Sequence, residues 1–289
     1  METIDSIRAM HAWSERARAA GRRIGFVPTM GYLHTGHVSL VTEARRRRAD
    51  LVVASIFVNP LQFGHNEDLD RYPRDLERDT RLLVEADTDV LYMPQASEMY
   101  PEGFQTAVTV EHVTRGLCGE KRPGHFRGVT TVVAKLFNAV RPHLAVFGEK
   151  DYQQLVAIRR MVRDLDFDIE VVGGPIVRES DGLAMSSRNA YLSPPERQAA
   201  LCLSRALAAS ETAVREGERG GAAVLDRAYA VLNAEPRARI DYVALTDPES
   251  LRPVDRIAGP TLLALAVWIG QTRLIDNTLL GRGAAWGEG

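Results

Sequence analysis

The sequence predicts an α/β doubly wound parallel sheet followed by a smaller carboxyl-terminal α+β domain. Up to about residue 176, apolar runs of strand length alternate with segments of helical period, the pattern of a parallel sheet covered on both faces. Beyond that point the alternation stops, and an Ala-rich helical region gives way to strand-like pieces. The chain is thus expected to divide into domains 1–176 and 177–289, the second closing a cleft against the first. The absence of a fixed repeat excludes a solenoid.

Residues 4–20 place Ile7, Met10, Trp13 and Ala17 at helical spacing, and Gly21 can end that helix. Residues 24–28 read as a buried strand and 38–49 as a helix whose last turn carries Arg45 to Arg48. That arginine run reads as a solvated helix end in preference to a nucleic-acid contact. Residues 51–58 are almost continuously apolar, as a strand covered on both faces is. A helix over 69–85, interrupted near its start by Pro73, a strand over 90–93 and an extended piece over 105–110 follow. A helix over 129–138, a strand over 144–147 and a helix over 152–165 complete the first part. In the second, Pro194-Pro195 precedes a helical region over 196–216, Gly217 to Gly221 break it, and a helix runs over 222–234. Residues 240–244, 262–268 and 272–277 are strand-like, with a turn over 255–260.

Composition narrows the function. Hydrophobic residues make up 45% and charged residues 26% of the 289, which excludes a disordered or collagen-like chain. The 36 Lys and Arg against 38 Asp and Glu leave a net charge of -2, no support for a general nucleic-acid binder. Two cysteines, Cys118 and Cys202, exclude a disulfide scaffold and a cysteine-rich zinc site. Glu2 and Asp5 precede any long apolar run, unlike a secretory signal, and the apolar stretch 261–270 is roughly half a membrane span. A cytoplasmic protein with neither membrane nor nucleic-acid partner is the expectation.

Five segments carry the chemistry. Pro28 to His37 follows a strand and opens a helix, with Gly31 and Gly36 permitting tight turns. Its His34 and His37 are three apart and can share one side of the helix start, where backbone N–H groups favour a phosphate. Packing of a turn, or half of a zinc site lacking a third ligand nearby, are the competing readings. The segment is neither a P-loop nor a dinucleotide fingerprint. At the end of the next strand, Asn59 and Gln62 offer neutral amides suited to hydroxyls and a carboxylate, or simply form a turn. The segment Arg122 to Gly128 reads as a basic, glycine-rich loop that closes on an anion or decorates the surface. Phe147 to Gln154 lies at another strand-to-helix junction and reads as a solvated helix start or as a site with Lys150 as a point charge for phosphate, Asp151 as an acceptor for ribose hydroxyls, and Gln154 one turn on. In Arg178 to Asn189, Ser186, Ser187 and Arg188 can grip a polyphosphate or form a surface loop, with Leu183 to Met185 as an apolar anchor. No residue stands out as a covalent nucleophile, so the combined reading is electrostatic and positional catalysis on a nucleotide.

Together these segments resemble the pantoate–β-alanine ligases, within the wider HxGH/HIGH nucleotidyl-transferring superfamily. The matches are PTMGYLHTGH at 28–37, FVNPLQF at 57–63, RPGHFRGVTTVV at 122–133, FGEKDYQQL at 147–155 and RESDGLAMSSRN at 178–189, with DYVAL at 241–245 and TRLIDN at 272–277 extending the likeness. The resemblance implies a Rossmann-like sheet. It also implies condensation of pantoate with β-alanine, consuming ATP and giving pantothenate, AMP and diphosphate through pantoyl adenylate, with Mg2+ and in a homodimer.

Carried over residue by residue, the resemblance assigns ATP contacts to Met30, His34, His37, Gly148, Lys150, Asp151, Val177, Met185, Ser186, Ser187 and Arg188. It gives His34, His37, Lys150 and Arg188 catalytic roles and assigns pantoate to Asn59, Gln62 and Gln154. It names no magnesium ligand here. Tyr32, bulkier than the residue usual at its place, Thr35 and Ser180 depart from the family pattern without removing a chemical role.

Overall fold

The computed structural model describes residues 1–64 and 67–281. Six parallel strands form one sheet: β1 (Glu2–Ile4), β2 (Ile24–Thr29), β3 (Leu51–Ile56), β4 (Val90–Tyr92), β5 (Leu144–Gly148) and β6 (Glu170–Gly174). Their spatial order is β1-β4-β3-β2-β5-β6. The chain builds outward from β2 through β3 to β4, then returns to place β5 on the other side of β2. The order therefore reverses between β2 and β5, and a crevice outside the carboxyl ends of strands at such a reversal is where α/β sheets bind ligands.

Helices α1 (Ile7–Ala19), α2 (Thr35–Arg46), α3 (Leu76–Glu85), α4 (Ala96–Met99), α6 (His125–Val140) and α7 (Tyr152–Asp164) accompany the sheet, while α5 (Cys118–Lys121) lies in a segment of the second unit described below. Successive strand residues point to opposite faces, and the sheet is apolar on both. Phe26, Ala145 and Phe147 enter a core with Met10, Phe137 and Ile158, whereas Val27, Leu144 and Val146 enter a second core with Leu40, Val41 and Leu83. The doubly wound sheet is thus present as expected.

The chain forms two compact units. The first holds residues 1–114, 122–149 and 154–177; the second holds 115–121, 150–153 and the chain from Arg178 onward. In the second, α8 (Pro194–Ala200), α9 (Cys202–Arg215) and α10 (Gly221–Asn233) pack on an antiparallel sheet of β7 (Ala238–Thr246), β8 (Thr261–Ile269) and β9 (Thr272–Leu280). Leu203, Leu207, Val224, Leu232, Leu263 and Leu265 belong to its core.

Several boundaries differ from the sequence reading. The helix expected over 69–85 begins only at Leu76, where Asp75 caps it by accepting from the Arg78 N–H at 3.1 Å. The region 196–216 is two helices that meet at Leu201, a break that neither Gly nor Pro marks. Arg122 to Gly128 is not all loop: α6 starts at His125, after Gly124 in the left-handed region at φ 83°. The extended piece over 105–110 joins no sheet; the Thr131 hydroxyl accepts from the Val108 N–H and the Thr130 hydroxyl donates to its carbonyl. The sequence predicts neither β1 nor β6: only Ile4 of β1 is buried, so no apolar run marks it, and β6 ends in Gly173-Gly174. A Cβ at Gly174 would overlap the end of the Leu40 side chain on α2, which would have to turn aside. Within the arginine run, Arg45 pairs with Asp89 at 2.8 Å and Arg47 with Glu43 at 2.9 Å.

Candidate active site

The chain leaves β2 in a tight turn. Gly31 and Tyr32 are both left-handed, at φ 82° and 49°, and Thr29 Oγ1 accepts from the Gly31 N–H at 3.2 Å. The next two amides, of Tyr32 and Leu33, donate to Oδ2 and Oδ1 of Asp79 at 2.7 and 2.6 Å. His34 is then the N-cap of α2. Its backbone N–H donates to His37 Nδ1 at 3.3 Å, and the two rings lie 4.0 Å apart between centroids at an interplanar angle of 35°. Because His37 accepts at Nδ1, its neutral ring carries the proton on Nε2. The helix start adds its own partial positive charge, so the turn suits an anion. It lies at the carboxyl end of β2, one of the two strands flanking the reversal. The other, β5, ends at Gly148, where a Cβ would meet nothing within 4 Å.

At the end of β3, Asn59, 1% exposed, is fully engaged. Its Oδ1 accepts from the Leu61 N–H at 3.3 Å and the Tyr100 hydroxyl at 2.7 Å. Its Nδ2 donates to the Gly128 carbonyl at 3.1 Å and to Gln62 Oε1 at 3.2 Å. Neither backbone partner can exchange donor for acceptor, so the orientation of Asn59 is determined, and with it that of Gln62. The Gln62 Nε2 points instead to Met30 Sδ, 2.9 Å away. Met30, Asn59 and Gln62 therefore form one chain of contacts. Gln154 is half-buried on the first turn of α7, and no hydrogen bond joins it to Gln62.

The Gln62 backbone carbonyl accepts from Arg122 Nη2 at 3.3 Å and bonds His125 Nδ1 at 2.8 Å. Arg122 in turn binds both carboxylate oxygens of Glu67, at 2.6 and 2.5 Å. Burial pushes the Glu67 carboxyl up, but the Arg122 hydrogen bond and charge prevail and hold it below its ordinary value. Burial dominates at Asp79 and raises its carboxyl, against the two amide donors.

In the second unit, Lys150 Nζ lies 3.6 Å from Asp151 Oδ2, and the Lys150 carbonyl accepts from Asn277 Nδ2 at 2.9 Å. Arg178 to Ala184 folds into a turn with Gly182 at φ 94°. Asp276 holds this turn by binding Arg178 at 2.7 and 3.0 Å. Asn189 Nδ2 donates to Glu179 Oε1 at 2.8 Å and to the Ala184 carbonyl at 3.1 Å, so Met185, Ser186, Ser187 and Arg188 run between two anchored points. Ser186 Oγ accepts from the Arg188 N–H at 3.3 Å, and Ser187 is buried. Val177 is half-buried at the end of the first unit.

Sequence reasoning missed Asp79, Tyr100, Asp276 and Asn277. The TRLIDN segment was the one signal for the last two, noted as a likeness without a role. Among the described residues, no group of three or more His, Cys, Asp or Glu is placed to hold a metal ion. No helix among them is long and apolar enough to cross a membrane.

The pantothenate synthetases of Geobacter sulfurreducens and Heliobacterium modesticaldum are 60% and 59% identical to the chain, over 97% of it and 99% of each relative. A crystal structure of the Thermus thermophilus pantothenate synthetase superposes with a TM-score of 0.91 at 52% identity, covering 96% of this chain and 99% of that one. A pantoate-β-alanine ligase from Francisella tularensis, crystallised with β-γ ATP and β-alanine, superposes at 0.77 and 32% identity, over 96% of this chain and 97% of that one. A family model described as pantoate-β-alanine ligase matches residues 2–279. With likeness this close over nearly the whole length, the chain belongs to the pantoate-β-alanine ligase family.

Proposed function

We propose that this ligase joins pantoate to β-alanine in two steps through pantoyl adenylate. In the first, a pantoate carboxylate oxygen attacks the α-phosphorus of ATP; a P–O bond forms, the bond to the bridging oxygen breaks, and diphosphate leaves. In the second, the β-alanine amine attacks the acyl carbon, a C–N bond forms, the amine loses a proton and AMP departs. Activation is required because a free carboxylate is a poor acyl donor. The protein needs to align the reactants and neutralise charge, with no covalent intermediate of its own.

The observation that carries this reading is the close, tilted His34–His37 ring pair at the start of α2, beside the strand reversal. Protons on the two rings and the helix-start amides suit the oxygens of a triphosphate. Met30, Gly148, Asp151, Val177 and Met185 line the nucleotide in this reading, while Lys150, Ser186, Ser187 and Arg188 neutralise charge as diphosphate departs. The domains in this reading are 1–176 and 177–289.

Gln62, whose NH2 is turned away from Asn59, donates to a pantoate oxygen, and Gln154 supplies a second amide. Asn59, buried and fully bonded, serves this pocket by orienting Gln62. The chemistry calls for Mg2+ to neutralise triphosphate charge. A cytoplasmic homodimer completes the reading.

The test is an assay for AMP and pantothenate with each of ATP, pantoate and β-alanine omitted in turn. Both products should require all three. Diphosphate released without AMP would instead make the chain a nucleotidyltransferase that leaves its nucleotide on the product. His34→Ala and His37→Ala should impair adenylation more than the reaction of preformed pantoyl adenylate with β-alanine.

A further inference from the structure

The turn that presents the histidines is an unfavourable piece of backbone. Tyr32 is a bulky residue at φ 49°, a conformation that costs roughly 1–2 kcal/mol for a residue with a Cβ. Two successive amides, of Tyr32 and the fully buried Leu33, point the same way and away from any strand partner. Left unpaired they would each add to that cost. Both are met by one side chain from another element, Asp79 on α3, one carboxylate oxygen to each amide.

We propose that Asp79 is a positioning residue for adenylation: as a carboxylate it clamps the Tyr32 and Leu33 amides and thereby sets where His34 and His37 stand. This rests on the phosphate role given to the histidines. The geometry is demanding. Two short bonds from two N–H donors require two acceptor oxygens at once, which an ionised Asp offers without competition and Asn, with an NH2 in place of one oxygen, lacks. Leu33 immediately precedes the N-cap, so a shift of its amide is passed directly to His34 and the first turn of α2. Gly31 belongs to the same arrangement, because a Cβ there would sit 3.1 Å from Asp79 Oδ2 and 3.0 Å from Ile56 Cγ2. The Arg78 guanidinium, also from α3, lies 5.1 Å from the Tyr32 ring centroid. Asp79 is 1% exposed; a desolvated carboxylate is a costly way to satisfy two amides, and its return is the fixed geometry of the turn.

Asp79→Asn is isosteric but turns an NH2 toward one of the two amides. Single-turnover formation of pantoyl adenylate should fall about 10- to 100-fold, the loss expected from misplacing reacting groups by about 1 Å. The reaction of preformed pantoyl adenylate with β-alanine should change less than about threefold, and the ring signals of His34 and His37 should shift in NMR spectra. Asp79→Glu keeps the charge on a longer arm and should show the same split, so that one variant failing to fold does not end the test. In the wild-type protein, the Tyr32 and Leu33 amides should be protected from hydrogen exchange.

Equal losses in both half-reactions would reduce Asp79 to a purely structural role and overturn the proposal, as would unchanged adenylation or freely exchanging amides. His37→Ala run in parallel separates the two claims. If it loses adenylation while Asp79→Asn keeps it, the clamp is refuted; if it too keeps adenylation, the histidine reading fails and the clamp's catalytic role fails with it.

Discussion

Gly128 and Leu61 meet backbone to backbone. A Cβ at Gly128 would overlap the Leu61 carbonyl group and lie 2.7 Å from the Gln62 backbone nitrogen. The first turn of α6 therefore rests against the three-residue 3-10 turn Pro60–Gln62 with nothing between them. This closeness lets the Gly128 carbonyl reach Asn59 Nδ2 at 3.1 Å.

Gly128→Ala should accordingly push the turn away from α6. Overpacking of this kind costs about 1–3 kcal/mol, visible as a lower midpoint in urea. Since the displaced turn carries Gln62, the KM for pantoate should rise more than that for ATP. A variant of full stability and unchanged pantoate KM would show that the contact has no bearing on the pocket.

Lys150→Ala should lose far more adenylation than stability. Its partner Asp151 is half exposed at 3.6 Å, and such pairs contribute at most about 1 kcal/mol. A positive charge acting on departing diphosphate contributes about 100- to 1,000-fold in rate. Single-turnover kinetics and thermal melting on one preparation check this, and near-wild-type adenylation in a folded variant refutes the role.

The two glutamines should behave differently from each other in one respect. Removing either substrate contact should weaken pantoate binding by about 1–3 kcal/mol, roughly a factor of 5 to 150, with ATP binding much less affected. Gln62→Ala also removes the acceptor of one of the two Asn59 Nδ2 hydrogens, the other staying on the Gly128 carbonyl, so it should lower stability as well. Gln154→Ala breaks no such bond and should leave stability near wild type. Calorimetry with both ligands and denaturation of both variants make the comparison; a large ATP defect with intact pantoate affinity in both would move these residues to the nucleotide side.

The Glu67–Arg122 pair should make stability pH-dependent. The Glu67 carboxyl lies below its ordinary 4.5 in the fold, so the unfolded chain binds its proton first as pH falls. The stabilisation is then fully present above 4.5 and is lost as pH drops through the lowered folded value. Glu67→Gln should therefore melt below wild type at neutral pH, and the gap should close progressively in acid. A gap that is constant from neutral pH into acid would mean that the pair's charge contributes nothing.

The alternation of strand and helix in the first part, the helix opening near His37, the polar strand end at Asn59 and Gln62, and the grouping of Ser186, Ser187 and Arg188 were all legible in the sequence. Each depends on local pattern: hydrophobic period, turn residues and spacing within a few positions. Tertiary structure alone decided what holds these groups. Asp79 reaches the histidine turn across 46 and 47 positions, Asn277 reaches the Lys150 carbonyl across 127, and Asp276 reaches Arg178 across 98. In the sequence each is an ordinary polar residue, because burial and the partner that justifies it exist only once distant segments pack. The same holds for Gly128 and Gly174, whose missing side chains have meaning only against Leu61 and Leu40. Sequence determined the kind of chemistry each segment carries. Packing determined which oxygen or amide faces which partner, since hydrogen-bond direction is settled by the neighbours that folding supplies.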